Sequence, residues 1–110
     1  MAWKITYNSL NAGRWNVRME SDAAGGTSEW LPVREYEITV AAKPTAGTVR
    51  AEFTYSPIEV VLADTANATN LAIKKAWAPG DANAEAVDVT RRATAVRFVA
   101  TNAAVAELAA

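Results

Sequence analysis

Neither cysteine nor histidine occurs among the 110 residues. Without cysteine there are no disulfides and no thiolate metal sites, so stability has to come from packing. Without histidine the commonest metal ligand and the usual general base near neutral pH are missing. Charge of either sign is also in short supply. Eleven basic residues against 12 acidic ones leave a net charge of −1, and a chain without a basic surplus is not expected to bind nucleic acid. No apolar run approaches the roughly 20 residues of a membrane span, so a membrane is not an expected partner. The first residues, Met1 to Thr6, lack the apolar core of a signal segment, and the chain is expected to be made and kept in a cytoplasm.

Alanine, by contrast, is abundant, at roughly a quarter of the residues. It is a poor strand former, so a β-protein this rich in it has to gain stability from close packing or from partners. At this length residues 1–110 form one domain with a single core.

The patterning is of period two. The C-terminal third, Val87 to Leu108, sets Thr94, Val96, Phe98 and Ala100 on one face of a strand and Ala95, Arg97 and Val99 on the other. Thr101-Asn102 reads as a turn, Asn102 being able to take positive φ, with Ala103 to Leu108 returning as the partner strand. Val87 and Val89 make a third short strand sharing the same apolar face.

Earlier in the chain Trp3, Ile5 and Tyr7 alternate with Lys4 and Thr6, and Asn11-Ala12-Gly13 reads as a turn. Trp15, Val17 and Met19 then alternate cleanly with polar residues, which places Trp15 in the core. Ser21 to Ser28 reads as a flexible loop with paired glycines, and Pro32 confines its own segment to an edge or bend. Glu35–Val40 and Val49–Tyr55 read as a hairpin across Lys43 to Gly47, pairing Glu35 and Glu37 with Arg50. Ile58, Val60 and Leu62 resume the ladder after Ser56-Pro57. Asp64 to Asn70 is a loop. Leu71 to Ala78 fits either a strand or one short helix capped by Asn70, and strand suits the β surroundings better. Ala78 to Asp81 is a turn. Eight or nine short strands with regular turns predict an all-β antiparallel sandwich, jelly-roll or immunoglobulin-like.

Parts for chemistry are few. Asp81, Asn83, Glu85 and Asp88 imitate the opening of a calcium loop, but Ala86 stands where the sharp turn needs glycine and Arg92 where a carboxylate closes the site. A solvated turn is the expectation, and no metal or other cofactor is implied. Asn67-Ala68-Thr69 fits a glycosylation acceptor, idle without export. The serines have no histidine to activate them. Glu35, Glu37, Glu52 and Glu59 fall on polar strand faces where they are solvated or ion-paired, and no phosphate-binding glycine loop is present. The chain is not expected to be an enzyme.

The tryptophans Trp3, Trp15, Trp30 and Trp77 are the side chains with most to offer a partner, either as core anchors or as exposed platforms. Trp30, after a loop and before Pro32, is the one expected at the surface. Arg91-Arg92 can grip carboxylates of a partner in bidentate pairs or stay solvated.

Three stretches carry a family likeness: T-V-R-A-E-F-T-Y-S-P at 48–57, A-W-A-P-G-D at 76–81, and the run from Val87 to Leu108. Together they resemble small β-sandwich virion proteins of tailed bacteriophages. The likeness covers residues 48–108, departing at 64–75 where a tighter hairpin is expected.

The resemblance implies a structural virion protein that decorates or cements a capsid. Its partner would be the major capsid protein or another virion protein, and it would itself be a homo-oligomer, with a trimer the expected form. It would be made in the host cytoplasm and located in the virion; neck and tail proteins share this kind of sandwich. The expected contacts are Trp3 and Ile5 in an N-terminal arm (residues 1–7), a C-terminal arm (103–110), Trp30, Arg91 and Arg92. The alternative is a carbohydrate- or receptor-binding module of a phage tail or adhesin, using Trp30 and Trp77.

Overall fold

The computed structural model describes residues 3–9, 13–63 and 74–110. These form ten strands and one short helix: β1 (Trp3–Ser9), β2 (Trp15–Ser21), β3 (Gly26–Thr27), β4 (Leu31–Pro32), β5 (Glu37–Pro44), β6 (Val49–Thr54), α1 (Ile58–Ala63), β7 (Lys74–Ala76), β8 (Ala86–Arg91), β9 (Ala95–Ala100) and β10 (Ala104–Ala109). Sheet A has the order β1-β2-β10-β5-β8 and sheet B the order β3-β9-β6-β7, with β4 also pairing β9. Every pairing is antiparallel. Among the described residues no helix is long and apolar enough to cross a membrane.

The core lies between the sheets. Sheet A contributes Val17, Met19, Ile38, Val40, Ala42, Ala104, Ala106 and Leu108; sheet B contributes Val49, Ala51, Phe53, Val96, Phe98 and Ala100. Alternation therefore picks the inward residues of these strands correctly, but not those of β8, where Val87 and Val89, expected on the packed apolar face, are 61% and 44% exposed on the outer side. The alanines have a packing role, because small side chains on β10 let Met19 and Phe98, both without exposed surface, fit into one layer.

Connectivity differs from the expectation in a systematic way. The turn at Thr101-Asn102 does not fold β10 back beside β9; it carries the chain from sheet B to sheet A, where β10 inserts between β2 and β5. The connection after Lys43 likewise leaves sheet A for sheet B. The two crossings lie side by side, joined by Thr101 N–H to Thr48 O at 2.9 Å and Thr48 N–H to Thr101 Oγ1 at 2.8 Å. Period-two alternation is identical for a hairpin and for a strand that changes sheet, because only the inward side is encoded. Asn102 does not adopt positive φ, and its side chain instead accepts from Ala103 N–H at 2.7 Å. Arg92, with φ 66°, is the only described non-glycine residue in the left-handed region.

Residues 58–62 form a helix, not the expected strand. Two amides, of Val60 and Val61, converge on the Pro57 carbonyl at 3.0 and 3.1 Å, and Glu59 stands in the first turn, where a negative charge is favourable. Ile58 and Val61, three apart, pack onto sheet B beside Ala95, while Val60 and Leu62 face outward. Six residues are too few to separate a 3.6 period from a period of two.

The 21–28 segment is also ordered. Gly25 N–H bonds Asp22 O, and β3 pairs with Val99 and Ala100. Ser28 is buried, with its hydroxyl accepting from Phe98 N–H at 2.9 Å. Gly25 is required where it stands, since a Cβ there would lie 2.5 Å from the Ala100 carbonyl oxygen. Lys74–Ala76 is a strand as expected. The Asp64–Asn70 loop, its glycosylation sequon, Leu71–Ile73 and most of the Asn11–Gly13 turn lie outside the described residues.

Candidate functional site: the sheet faces and an aromatic groove

The residues expected to contact partners do not converge. Trp3 is buried, its ring 6.2 Å from Phe98 and its indole N–H donating to Gly26 O at 3.2 Å, so the start of β1 is pinned onto sheet B and is not a free arm. Ile5 is half-buried on the same inward side. Residues 104–109, expected within a C-terminal arm, are β10 in the middle of sheet A. Arg91 and Arg92 lie at the opposite edge of that sheet. Arg91 pairs with Glu37 at 2.7 Å, and the Arg92 guanidinium sits 5.7 Å from the centre of the Tyr36 ring.

Trp30 is on the outer side of sheet B, half-buried, with Arg97 lying 4.4 Å over its ring. Beneath that stack is a charged cluster built from outward positions of β6 and β9. Glu52, only 4% exposed, accepts from Arg97 at 2.7 Å through one carboxylate oxygen and from Arg50 at 3.0 Å through the other. Arg50 extends the chain to Asp81 at 3.1 Å, and this hydrogen bond, with help from Glu52, raises its pKa further. The expected pairing of Arg50 with Glu35 and Glu37 is absent because β5 and β6 belong to different sheets. Arg97 ties the Trp30 segment to this cluster, whose arginines and carboxylate are already matched.

Trp77 is 2% exposed in the core, so it offers no platform to a ligand. The indole N–H groups of Trp30 and Trp77 are buried without an acceptor among the described residues. Nor do three or more Asp and Glu side chains gather among those residues as a metal site would need.

Trp15, expected in the core, is at its margin. It lines an open groove of about 450 Å³ between the β1–β2 end of sheet A and the segment joining β4 to β5, with Tyr7, Val17, Pro32, Arg34 and Glu35. The Trp15 indole N–H donates to Glu35 Oε2 at 2.8 Å. That bond, with the nearby Arg34 charge adding to it, holds the Glu35 carboxyl below its usual pKa. Tyr7 is 70% exposed. Nothing local in the sequence joins Trp15 to a carboxylate twenty residues away, so alternation alone places it inside.

The outer face of sheet A carries exposed apolar side chains. Val87 and Val89 of β8 are 61% and 44% exposed and stand opposite Ala41 and Thr39 of β5. A shallow depression of about 280 Å³ beside them is lined by Arg18, Ala41, Lys43, Glu85, Val105 and Glu107.

No protein-family model matches the chain, and no curated protein matches it. Among solved structures, a cupin domain from Bordetella pertussis matches over 98% of this chain and 91% of its own, with TM-score 0.52 and 9% identity. The Cnp3 cupin domain of Schizosaccharomyces pombe matches over 98% of this chain and 60% of its own, with TM-score 0.51 and 10% identity. At such identities the likeness concerns the fold alone. The fold is an antiparallel β-sandwich of the jelly-roll kind, similar to cupin domains.

Proposed function

We propose that this chain is a non-catalytic structural virion protein that decorates or cements a bacteriophage capsid by bridging neighbouring subunits. In this proposal it uses the outer face of sheet A and not terminal arms. The virion context rests on the sequence resemblance. The observation that carries the mode of contact is the exposed pair Val87 and Val89 on a regular strand, continuous with Ala41 and Thr39 and flanked by Lys43, Arg18 and Glu107. An apolar strip with a charged rim is the composition of a protein interface.

Contact across the face is favoured over strand addition at the β8 edge. The Asp88 carboxylate accepts from Val89 N–H at 2.8 Å, so a side chain occupies a backbone donor that an added strand would need. Repetition of one small surface around a symmetric assembly, in a homo-oligomer such as a trimer, supplies the total area that one copy lacks.

The test is quantitative mass spectrometry of purified particles together with a Val87→Asp, Val89→Asp double variant. The expected outcome is hundreds of copies per particle, loss of the variant from particles, and an unchanged melting curve for the variant alone. Absence of the protein from particles overturns the virion role; normal occupancy of the variant overturns the assigned face.

A further inference from the structure

We propose that the groove between Tyr7 and Arg34 binds a neutral pyranoside, stacked on the rings of Tyr7 and Trp15. The site is separate from the outer face of sheet A, so it stands or falls independently of the shell-decorating role. Tyr7 and Trp15 come from adjacent antiparallel strands. The register pairs Tyr7 with Val17 and Ser9 with Trp15, which puts both aromatic residues on the same side of the sheet as diagonal neighbours.

The Trp15 ring is fixed before any ligand arrives, because its N–H is held by Glu35 and its body packs against the core. A ring immobilised in advance costs no ordering on binding. Tyr7 supplies a second, largely exposed ring, and Val17 and Pro32 complete an apolar floor.

A pyranose ring presents a face of C–H bonds and an equator of hydroxyls. The face suits the two aromatic rings. Arg34 and Glu35 at the rim supply donors and acceptors for adjacent hydroxyls. One positive and one negative side chain leave the groove without net charge, which favours a neutral ligand over an anion or a cation. The volume, about 450 Å³, is that of a small-molecule site. A proline-rich peptide is the competing occupant of an aromatic groove; with the Trp15 N–H engaged by Glu35, this groove lacks the indole donor on which such a peptide's carbonyl would rest. Asn8 and Asn16, at the same end, are turned to each other and to Glu107 on the opposite side of the sheet.

The test is a titration of the intact, nitrogen-15-labelled chain with methyl glucoside, galactoside, mannoside and N-acetylglucosaminide at millimolar concentrations. The Trp15 indole N–H resonance is the sensor. At least one glycoside is expected to move it saturably while the indole signals of Trp3, Trp30 and Trp77 stay in place. Tyr7→Ala, at a mostly exposed side chain, is expected to weaken binding about tenfold, whereas Tyr36→Ala, at an exposed aromatic outside the groove, leaves it unchanged. A flat response to every glycoside overturns the proposal, as does an equal response in Tyr7→Ala. A response to a proline-rich peptide alone overturns it too and reassigns the groove.

Discussion

The outer faces of the two sheets present charged residues at the same alternate positions, yet they are different environments. On sheet A, Arg18 meets Glu107 at 2.7 Å and Arg91 meets Glu37 at 2.7 Å, and all four side chains remain 40% or more exposed. On sheet B, Arg97 meets Glu52 at the same 2.7 Å, but the two side chains are only 14% and 6% exposed. Equal distances thus describe unequal interactions, because water screens the first pairs, whereas the second is largely out of water with Trp30 stacked on Arg97. One face is left open for contact, and the other is already covered by its own chain.

The sharpest way to break that contrast is Glu52→Ala. It strands Arg97 in a poorly hydrated place, whereas Arg50, 35% exposed, keeps Asp81. The variant is expected to cost about 3–5 kcal/mol in urea unfolding; a loss below about 1 kcal/mol would show the two faces to be equivalent. Next is the covering itself. Val61→Ala, beneath α1, is expected to cost about 2 kcal/mol, while Val87→Ala on the open face changes stability by no more than about 0.5 kcal/mol. A comparable loss at both positions would mean that the helix is not a true cover. Arg18→Ala on sheet A is expected to cost about 0.5 kcal/mol, and less at high salt.

The smallest effect is that of pH at Glu35. Its pKa is lowered in the folded state from an ordinary 4.5, so the stabilising contribution is present above that value and is lost as pH falls through the lower folded value. Below pH 4.5 the Trp15 indole resonance is expected to move, and in Glu35→Ala that movement disappears. Persistence of the movement in the variant would assign it to another group.

This contrast also marks what the sequence could reveal. Alternation identifies Val17, Met19, Val96 and Phe98 as inward because a strand encodes only two sides. It treats Glu52 like Glu37, since both are outward, and cannot tell that one outward side is roofed. Part of the cover on that side is α1, over Ala95, and its Ile58-x-Val60-x-Leu62 spacing reads as a strand over so short a span. Pairing of Glu35 and Glu37 with Arg50 fails for a related reason: consecutive strands here lie in opposite sheets. The groove is hidden more deeply still. Tyr7, Trp15 and Glu35 become neighbours only through the β1–β2 register and the path of the chain after β4. Trp30 was visible as unlike its fellows, but its partner Arg97 lies 67 positions away.

The placement of β10 between β2 and β5 has a consequence for biosynthesis. During translation β1–β2 and β5–β8 can each form a ladder, but they have no direct contact with one another within sheet A. The strand that joins them is made after all the others. Its Ala104, Ala106 and Leu108 must enter the centre of the sheet last, pairing with Ser21 to Val17 on one side and Pro44 to Val40 on the other. β10 is therefore the last strand of the sandwich to be made, and until it emerges the nascent chain has two half-sheets with open edges, a state prone to pair with its neighbours on the same message.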